Sequence, residues 1–340
     1  MSKSLNINDI AKLAGVSRST VSRVLMNSKN VKPATANIVR EAVRKANYRP
    51  SILARGLVTG RLNMIAMLMS DPDNPFLMQM VRNLDQEFRD RGYMLGICYL
   101  GLNAAARSDN FALIQQYGFA GYIIGDAQND ADFIRVVRGV RQPLILFNRY
   151  LDGLSDFDAV VSDNYLGGQL AASHLLELGH TKIGALTGPL DHSSASRDRF
   201  QGFSDELRRN GIELEPGGIG EGELSLDSGS DYARHVLGKR GQKCTAVFAG
   251  NDLMAIGILN YCREYGIRVP EKLSLIGFDD IALSKSALIN LTTVQQPAAA
   301  MSSLVAERVV VRCKGEELPA ERLLVRPNLV VRGTTAVAQK

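Results

Sequence analysis

Four polar side chains near the N-terminus could form one hydrogen-bonding surface. If the run "SRSTVSRVL" (17–25) is helical, Arg18 lies beside Ser22 and Ser19 lies beside Arg23, because residues four apart share a helix face. The opposite face carries aliphatic side chains, Val21, Val24 and Leu25. A guanidinium offers five N–H donors in a fixed planar arrangement. This face is therefore suited to polar, acceptor-rich edges.

The flanking residues predict the helices that position this face. Asn6 and Asp9 are suited to the first turn of a helix that contains Ile10, Leu13 and Ala14. Gly15 permits a sharp turn, and Ser17 is a suitable N-cap for the second helix. A third helix is predicted from Pro33 onward, with an apolar stripe formed by Ile38, Val39, Ala42, Val43 and Ala46.

Three short helices with a glycine corner predict a helix-turn-helix domain, whose second helix enters the DNA major groove. The alternative for any single Arg-Ser pair is a solvated helix face. Arg18, Ser19 and Arg23 are the natural base readers, since the start of that helix faces the base edges. We assign DNA contacts to Ser17, Arg18, Ser19, Thr20, Ser22, Arg23 and Asn30.

The charge distribution supports the same interpretation. Residues 1–61 hold twelve Lys or Arg against Asp9 and Glu41, which gives +10, whereas the net charge of the whole chain is +5. The remaining residues are therefore mildly acidic. A basic N-terminal unit on an acidic body is typical of a protein that neutralises phosphates.

The body, from about Leu62, predicts an α/β architecture of two doubly wound lobes. Short apolar runs alternate with stretches long enough for crossover helices, first over 64–147 and again over 182–278. Parallel strands place their carboxyl ends at one edge of the sheet. We therefore expect a small-molecule site in a crevice between the lobes.

Several other classes of protein are disfavoured. No apolar run approaches the roughly 18 residues of a membrane span, and the first residues lack a signal segment, so a cytoplasmic protein is expected. The four cysteines show no metal-ligand spacing, so neither a metal nor a cofactor is implied. The sequence contains no Walker A, HExxH or GxSxG motif, which argues against an enzyme.

Seven segments in order resemble the lactose-repressor and galactose-repressor (LacI/GalR) family of bacterial transcription regulators. They are "DIAKLAGVSRSTVSRVL" (9–25), "ARGL" (54–57), "DNYLGGQLAASHLLELGHTKIGALTGP" (163–189), "RDRFQGF" (197–203), "TAVFAGNDLMAIGIL" (245–259), "SLIGFDDIALS" (274–284) and "LTTVQQP" (291–297). The resemblance extends over nearly the whole chain.

The resemblance implies a homodimer that binds a palindromic operator and is controlled by a sugar-like effector, with repression the commoner mode. It implies a helix-turn-helix domain at 1–49, a hinge helix at 50–61 and an effector-binding and dimerisation domain at 62–340. On DNA, Leu57 would enter the minor groove with Ala54 beside it. An activator, a corepressor-dependent regulator and a solute-binding protein remain alternatives. The C-terminus lacks leucine heptads, so a dimer is expected.

By the same resemblance, six residues are candidate effector contacts. Arg199 and Asp279 match an arginine and an aspartate that contact the effector in the family. Phe76, Asn148 and Asn251 occupy cleft positions, where capping or turn formation is the alternative. Leu224 stands where relatives often have a stacking aromatic residue, which disfavours a flat ligand.

The resemblance also predicts how the lobes exchange chain. We expect the N-terminal lobe to contain about 62–161 and 292–322, and the C-terminal lobe about 162–291 and 323–340. The segment "LTTVQQP" would thus return to the first lobe. The stretch "LLVRPNLVVR" (323–332) would then cross back to the second.

Overall fold

The structure is a computed structural model that describes residues 5–25, 30–48, 62–101, 103–126, 128–214, 217–238 and 244–339. The chain divides near Leu62 into two compact units. Each unit has its own hydrophobic core.

The N-terminal unit contains the three predicted helices. Asn6 caps the first helix through the amides of Asn8 and Asp9, and the Asp9 carboxylate accepts in return from the Asn6 amide. Gly15 has φ +66°, which forms the predicted corner. Pro33 begins the third helix. The helices are α1 (Ile7–Leu13), α2 (Arg18–Leu25) and α3 (Pro33–Lys45).

The core of this unit is narrower than the sequence pattern predicted. Ile10, Val21 and Val39 are fully buried. Ile38 is 52% exposed, so its predicted place on the apolar stripe of α3 is wrong, and Leu13 of α1 is 63% exposed. In so small a unit, each helix packs against its neighbours along a narrow strip of its surface. Leu13 and Ile38 lie outside that strip and face solvent.

The larger unit contains two six-stranded sheets within the described residues. The first sheet runs in the spatial order β11 (Arg322–Val325), β5 (Asp158–Ser162), β4 (Leu144–Phe147), β3 (Phe119–Ile124), β1 (Leu62–Met69) and β2 (Met94–Tyr99). The second runs β12 (Asn328–Val330), β10 (Thr292–Gln295), β9 (Ser274–Asp279), β8 (Ala246–Ala249), β6 (Ile183–Thr187) and β7 (Ile219–Glu221). Strand β10 pairs with β12 in the antiparallel direction. The pairs β1–β2, β3–β4, β4–β5, β5–β11, β6–β7, β6–β8, β8–β9 and β9–β10 are parallel.

Helices cover the sheets, as expected for doubly wound lobes. The first sheet and the helices packed on it form what we call the N-lobe. Its helices are α4 (Pro75–Asp90), α5 (Ala104–Gln115), α6 (Ala131–Arg138) and α11 (Ala298–Cys313). The second sheet, the C-lobe, has α7 (Asn164–Glu177), α8 (Ser194–Arg209), α9 (Leu226–Val236), α10 (Asp252–Glu264) and the 3-10 helix Ala282–Lys285.

The two predicted crossings between the lobes lie close to where the resemblance placed them, but each occurs a few residues later in the chain. Strand β10 still pairs in parallel with β9 in the C-lobe, and the chain returns to the N-lobe with α11, within the predicted 292–322. Strand β11 pairs with β5 in the N-lobe, and the chain crosses back to the C-lobe with β12, within "LLVRPNLVVR" as predicted. A proline lies at each crossing, and Pro297 and Pro327 lack the N–H needed to continue a ladder. The chain changes lobes at these prolines.

Candidate functional site

The predicted DNA-contacting residues of α2 lie on a capped and mostly exposed helix face. The Ser17 hydroxyl accepts a hydrogen bond from the Thr20 amide at 3.1 Å and also contacts the Ser19 and Thr20 hydroxyls at 2.8 Å. This bond gives α2 the predicted N-cap. Arg18, Ser19 and Arg23 are exposed, while Thr20 and Ser22 are half-buried.

The remaining candidates for DNA contact are less well defined. Asn30 is exposed and lies in the turn before α3. Ala54 and Leu57 fall within 49–61, outside the described residues. Contacts from all three residues to DNA therefore stay predictions.

A cavity of about 170 Å³ lies between the lobes at the carboxyl ends of the strands. Of the predicted effector contacts, Asn148 and Leu224 line it. The prediction missed every other polar residue that is described in the lining, namely Ser70, Asp71, Asn74, Asp126, Gln128, Arg149, His192, Ser193, Glu223 and Ser225. Ser70, Asp126 and Arg149 follow β1, β3 and β4 within two residues, so the strand-end rule applied to every apolar run would have found them.

Asp126 holds the backbone of the cleft wall in place. Its carboxylate accepts from the Ser70 amide at 2.7 and 2.9 Å and from the Asp71 amide at 2.7 Å. Burial raises the pKa of Asp126, against the attraction of Arg149. The carboxylate thus fixes the positions from which Ser70 and Asp71 face the cavity.

Three buried polar atoms in the cleft wall have no hydrogen-bond partner among the described residues: Ser70 Oγ, Asn148 Oδ1 and Arg149 Nε. Ser70 and Asn148 are each only 6% exposed. Buried polar groups are normally paired, so such atoms mark positions that a ligand can satisfy. Asn148 also has φ +69°, a backbone conformation that asparagine tolerates better than most residues and that fits the turn-forming alternative.

Arg199 and Asp279 form a buried pair that is not part of the cavity lining. The Arg199 Nη1 lies 3.4 Å from the Asp279 Oδ1 and 2.7 Å from the Gly250 carbonyl, and its Nε donates to the Asn164 Oδ1 at 2.8 Å. Burial lowers the pKa of Arg199 and raises that of Asp279, while each charge favours ionisation of the other. Their predicted contacts with an effector stay predictions, and both have a structural role.

Phe76 and Asn251 do not line the cavity either. Phe76 is 1% exposed in the N-lobe core. Asn251 caps α10 through the Met254 amide at 2.9 Å, as the capping alternative anticipated, and donates to the Leu224 carbonyl at 3.1 Å. Asn251 therefore positions Leu224 in the cleft wall.

Side chains join the lobes through a cluster that we call the interlobe latch: Tyr150, Asp152, Ser194, Arg197 and Asp198. Arg197 makes two hydrogen bonds of 3.0 Å to the Asp152 carboxylate. The Ser194 hydroxyl accepts from the Tyr150 amide at 3.1 Å and donates to its carbonyl at 2.8 Å. The Tyr150 hydroxyl donates to Asp198 at 3.1 Å. The latch holds the N-lobe against the start of α8.

The described ranges contain no cluster of three or more side chains arranged to hold a metal ion. Among the same ranges, no helix combines the length and the apolar character needed to cross a bilayer. The cysteines Cys98, Cys244, Cys262 and Cys313 form no disulfide bond within the described residues.

The chain matches two family models. Residues 6–51 match bacterial regulatory proteins of the lacI family, and residues 172–335 match a periplasmic binding protein-like domain. The ribose operon repressor of Escherichia coli K12 is 32% identical over 96% of this chain and 99% of its own. The transcriptional repressor PurR of Aliivibrio salmonicida is 31% identical over 96% of this chain and 97% of its own chain. A lac repressor dimer bound to operator and an anti-inducer has a TM-score of 0.86 at 27% identity, covering 98% of this chain and 100% of its own.

These similarities extend over both units and include α2 and the two lobes. The relatives are named as repressors, which sets the enzyme and solute-binding alternatives aside. The chain belongs to the lacI family of bacterial regulatory proteins, which are DNA-binding transcriptional regulators.

Proposed function

We propose that this protein is a homodimeric repressor that binds a palindromic operator through α2 and is controlled by a small molecule in the interlobe cleft. The exposed guanidinium face of α2, on a capped helix in a strongly basic unit, carries the proposal. The repressor names of full-length relatives support it. Since its target is bacterial operator DNA, the protein acts in the cytoplasm.

The cleft supports control by a small molecule. Its lining includes polar atoms that have no hydrogen-bond partner within the described part of the chain, and it lies between two lobes whose relative position a ligand can bias. Phe76, Asn148, Arg199, Leu224, Asn251 and Asp279 remain the family-based candidates for contact with the effector. The hinge at 50–61, with Ala54 and Leu57, would connect lobe movement to DNA binding.

Selection from random double-stranded DNA with the purified full chain tests the DNA-binding proposal. We expect two inverted half-sites related by a two-fold axis, because a symmetric dimer reads the same bases twice. An enriched motif without two-fold symmetry, or no enrichment over random DNA, would contradict it.

A further inference from the structure

A second cavity lies in the C-lobe between strand β7 and helix α9, separate from the interlobe cleft. Its volume of about 370 Å³ is more than twice that of the interlobe cavity and falls within the range of about 300–1,000 Å³ that small-molecule sites occupy. The two cavities share none of their described lining residues. Neither DNA binding nor control through the cleft uses this second cavity.

Glycines on the strand side create the space. The segment "GGIGEG" (217–222) has glycine at four of its six positions, and three of these glycines line the cavity. A Cβ at Gly220 would lie 2.6 Å from the Tyr232 ring, so a side chain there would displace the ring. The Tyr232 hydroxyl donates to the Gly218 carbonyl at 2.6 Å, which holds the ring against the strand. Tyr232 is therefore a fixed part of the cavity wall.

Each wall of the cavity contributes one carboxylate. Glu221 ends β7, and Asp231 lies on α9. One Glu221 oxygen accepts from the Leu190 amide at 3.2 Å, and Asp231 forms an exposed ion pair with Arg234. No Lys or Arg is among the described lining residues, so one negative charge remains even when Arg234 is counted. This charge favours a cation in the cavity.

His235 adds an uncharged acceptor to the same lining. Its Nδ1 lies 2.7 Å from the Asp231 carbonyl oxygen, which can only accept, so Nδ1 carries the proton of that bond. In the neutral ring, Nε2 is then a hydrogen-bond acceptor. The side chains of Glu221, Asp231 and His235 therefore require donors from a ligand.

The rest of the lining favours an organic cation over a metal ion. Leu186, Ile219 and Val236 give the cavity an aliphatic surface, on which a hydrocarbon chain can pack. The Tyr232 ring adds an aromatic face, which attracts ammonium groups. The described part of the chain holds no cluster of three or more side chains suited to a metal ion. A hydrocarbon chain with an ammonium group at each end matches both the carboxylates and the apolar surface.

We propose that this cavity binds an aliphatic diammonium ion, that is, a short polyamine. One ammonium group binds Glu221 on β7, and the other binds Asp231 and His235 on α9. The hydrocarbon chain packs against the aliphatic side chains between them. This proposal rests on the charge and shape of the cavity and is independent of the proposed control through the cleft.

Calorimetric titration of the full chain without DNA tests the proposal, at about 0.15 M salt so that distant exposed charges are screened. The probes are putrescine, cadaverine and spermidine, compared with butylamine, butanediol and Mg²⁺. We expect at least one of the polyamines to bind about tenfold more tightly than butylamine or Mg²⁺, because only a polyamine places an ammonium group on each wall. Butanediol should not bind.

Two double variants show whether the carboxylates of this cavity hold the ligand. The variant Glu221→Gln/Asp231→Asn keeps the side-chain volumes and should weaken binding of the polyamine by about tenfold or more. The matched control Asp156→Asn/Glu264→Gln removes the same charge from exposed positions outside both cavity linings and should bind as wild type. Equal weakening in both variants would mean that net charge alone attracts the polyamine, and would overturn the site.

A third double variant, Asp71→Asn/Glu223→Gln, locates the ligand, because it removes carboxylates that line the interlobe cavity. Loss of binding in this variant, with binding retained in Glu221→Gln/Asp231→Asn, would place the polyamine in the interlobe cleft and overturn the proposal.

The basic residues that follow α9 along the chain provide a further check. Lys239, Arg240 and Lys243 lie outside the described residues. Replacing all three by glutamine should leave polyamine binding within about twofold of wild type. Binding seen only in this triple variant would show that these side chains compete for the carboxylates, and would overturn the proposal. Failure of all three polyamines to bind, or equally tight binding of butylamine, butanediol or Mg²⁺, would overturn it as well.

Discussion

At the scale of single residues, Arg18 and Arg23 connect the fold of the N-terminal unit to its function. Both are exposed on α2, whose opposite face packs Val21 and Val24 into the core. The core therefore fixes which way the guanidinium groups project. The helix fixes the backbone positions from which the two arginines extend, which favours recognition of defined base edges over general attraction to phosphate.

Replacing Arg18 or Arg23 by alanine should weaken binding to the selected operator by roughly 1–3 kcal/mol and relax the preference at one base position of each half-site. Binding-site selection with each variant measures both effects. As a control, Arg44→Ala removes a charge from α3 and should weaken all sequences alike. An unchanged motif with the Arg18 variant would remove Arg18 from the set of base readers.

Asp252 illustrates a buried carboxylate with a structural role. It accepts hydrogen bonds from the Ile281 amide at 2.9 Å, the Ser284 hydroxyl at 2.7 Å and the Thr293 hydroxyl at 2.5 Å. Burial, with repulsion from Asp279, raises its pKa to about 7. These bonds join the start of α10 to β10 and the 3-10 helix.

The raised pKa predicts how stability depends on pH. The folded protein binds the proton more tightly than the unfolded chain, so Asp252 contributes its full stability below about pH 4 and loses it as pH rises to about 7. Urea unfolding between pH 5 and 7 should therefore show a decline of up to about 1.4 kcal/mol per pH unit from this group. Asp252→Asn should reduce that decline, and the exposed control Asp132→Asn should not. Equal slopes in wild type and Asp252→Asn would contradict the assignment.

At the scale of elements, local signals were predicted well and long-range pairing was not. Gly15, Pro33 and the buried runs of β1, β3 and β8 act through local conformation and burial, which the sequence displays directly. The sheet to which a strand belongs depends on its pairing partner, as for β10 and β11. The partner of β11 is β5, which lies more than a hundred positions earlier in the chain. The four residues of β11 do not by themselves specify the strand with which they pair.

The candidate site, too, was predicted in part. Strand ends indicated where a cleft should form, and the family resemblance placed Asn148 and Leu224 in its wall. The resemblance could not show that Arg199 and Asp279 pair with each other, because that depends on how β9 packs against α8. It also could not show which polar atoms the fold leaves unpaired. Whether a buried polar atom is paired depends on all of the side chains and backbone groups packed around it.

The interlobe latch predicts a modest contribution to lobe closure. Arg197→Ala removes two hydrogen bonds to Asp152, and since both side chains are partly exposed, the loss should weaken binding of the cleft ligand by about two- to fivefold. Calorimetric titration with the small molecule that binds in the cleft measures this change. Arg135→Ala, which breaks an exposed pair with Asp132 within one helix, is the control and should bind as wild type. Unaltered affinity in Arg197→Ala would show that the latch does not hold the lobes.

At the scale of the whole molecule, the edge strand β2 is a candidate surface for the dimer that the family forms. Met94, Ile97 and Tyr99 on this strand are 49%, 54% and 49% exposed. Exposed apolar side chains along an unpaired edge favour association with another chain.

Ile97→Glu should shift the protein toward monomer, because a buried charge would be unpaired in the interface. Sedimentation measures the shift, and operator affinity should fall at least tenfold as the second half-site is lost. Leu324→Glu, on β11 at the opposite edge of the same sheet, is the matched control and should remain dimeric. A dimer as stable as wild type in Ile97→Glu would place the interface elsewhere.

The central claim is that occupation of the cleft changes operator affinity, and the most direct measurement is the operator Kd with and without the small molecule that binds in the cleft. We expect a saturating concentration of this ligand to change the wild-type Kd by about 5–150-fold. Ser70→Ala removes one hydroxyl from the cleft and should need about fivefold more ligand for the same change. Ser108→Ala, which removes a hydroxyl from α5 that also has no partner among the described residues, should respond as wild type. An operator Kd that is the same with and without saturating ligand would contradict the account.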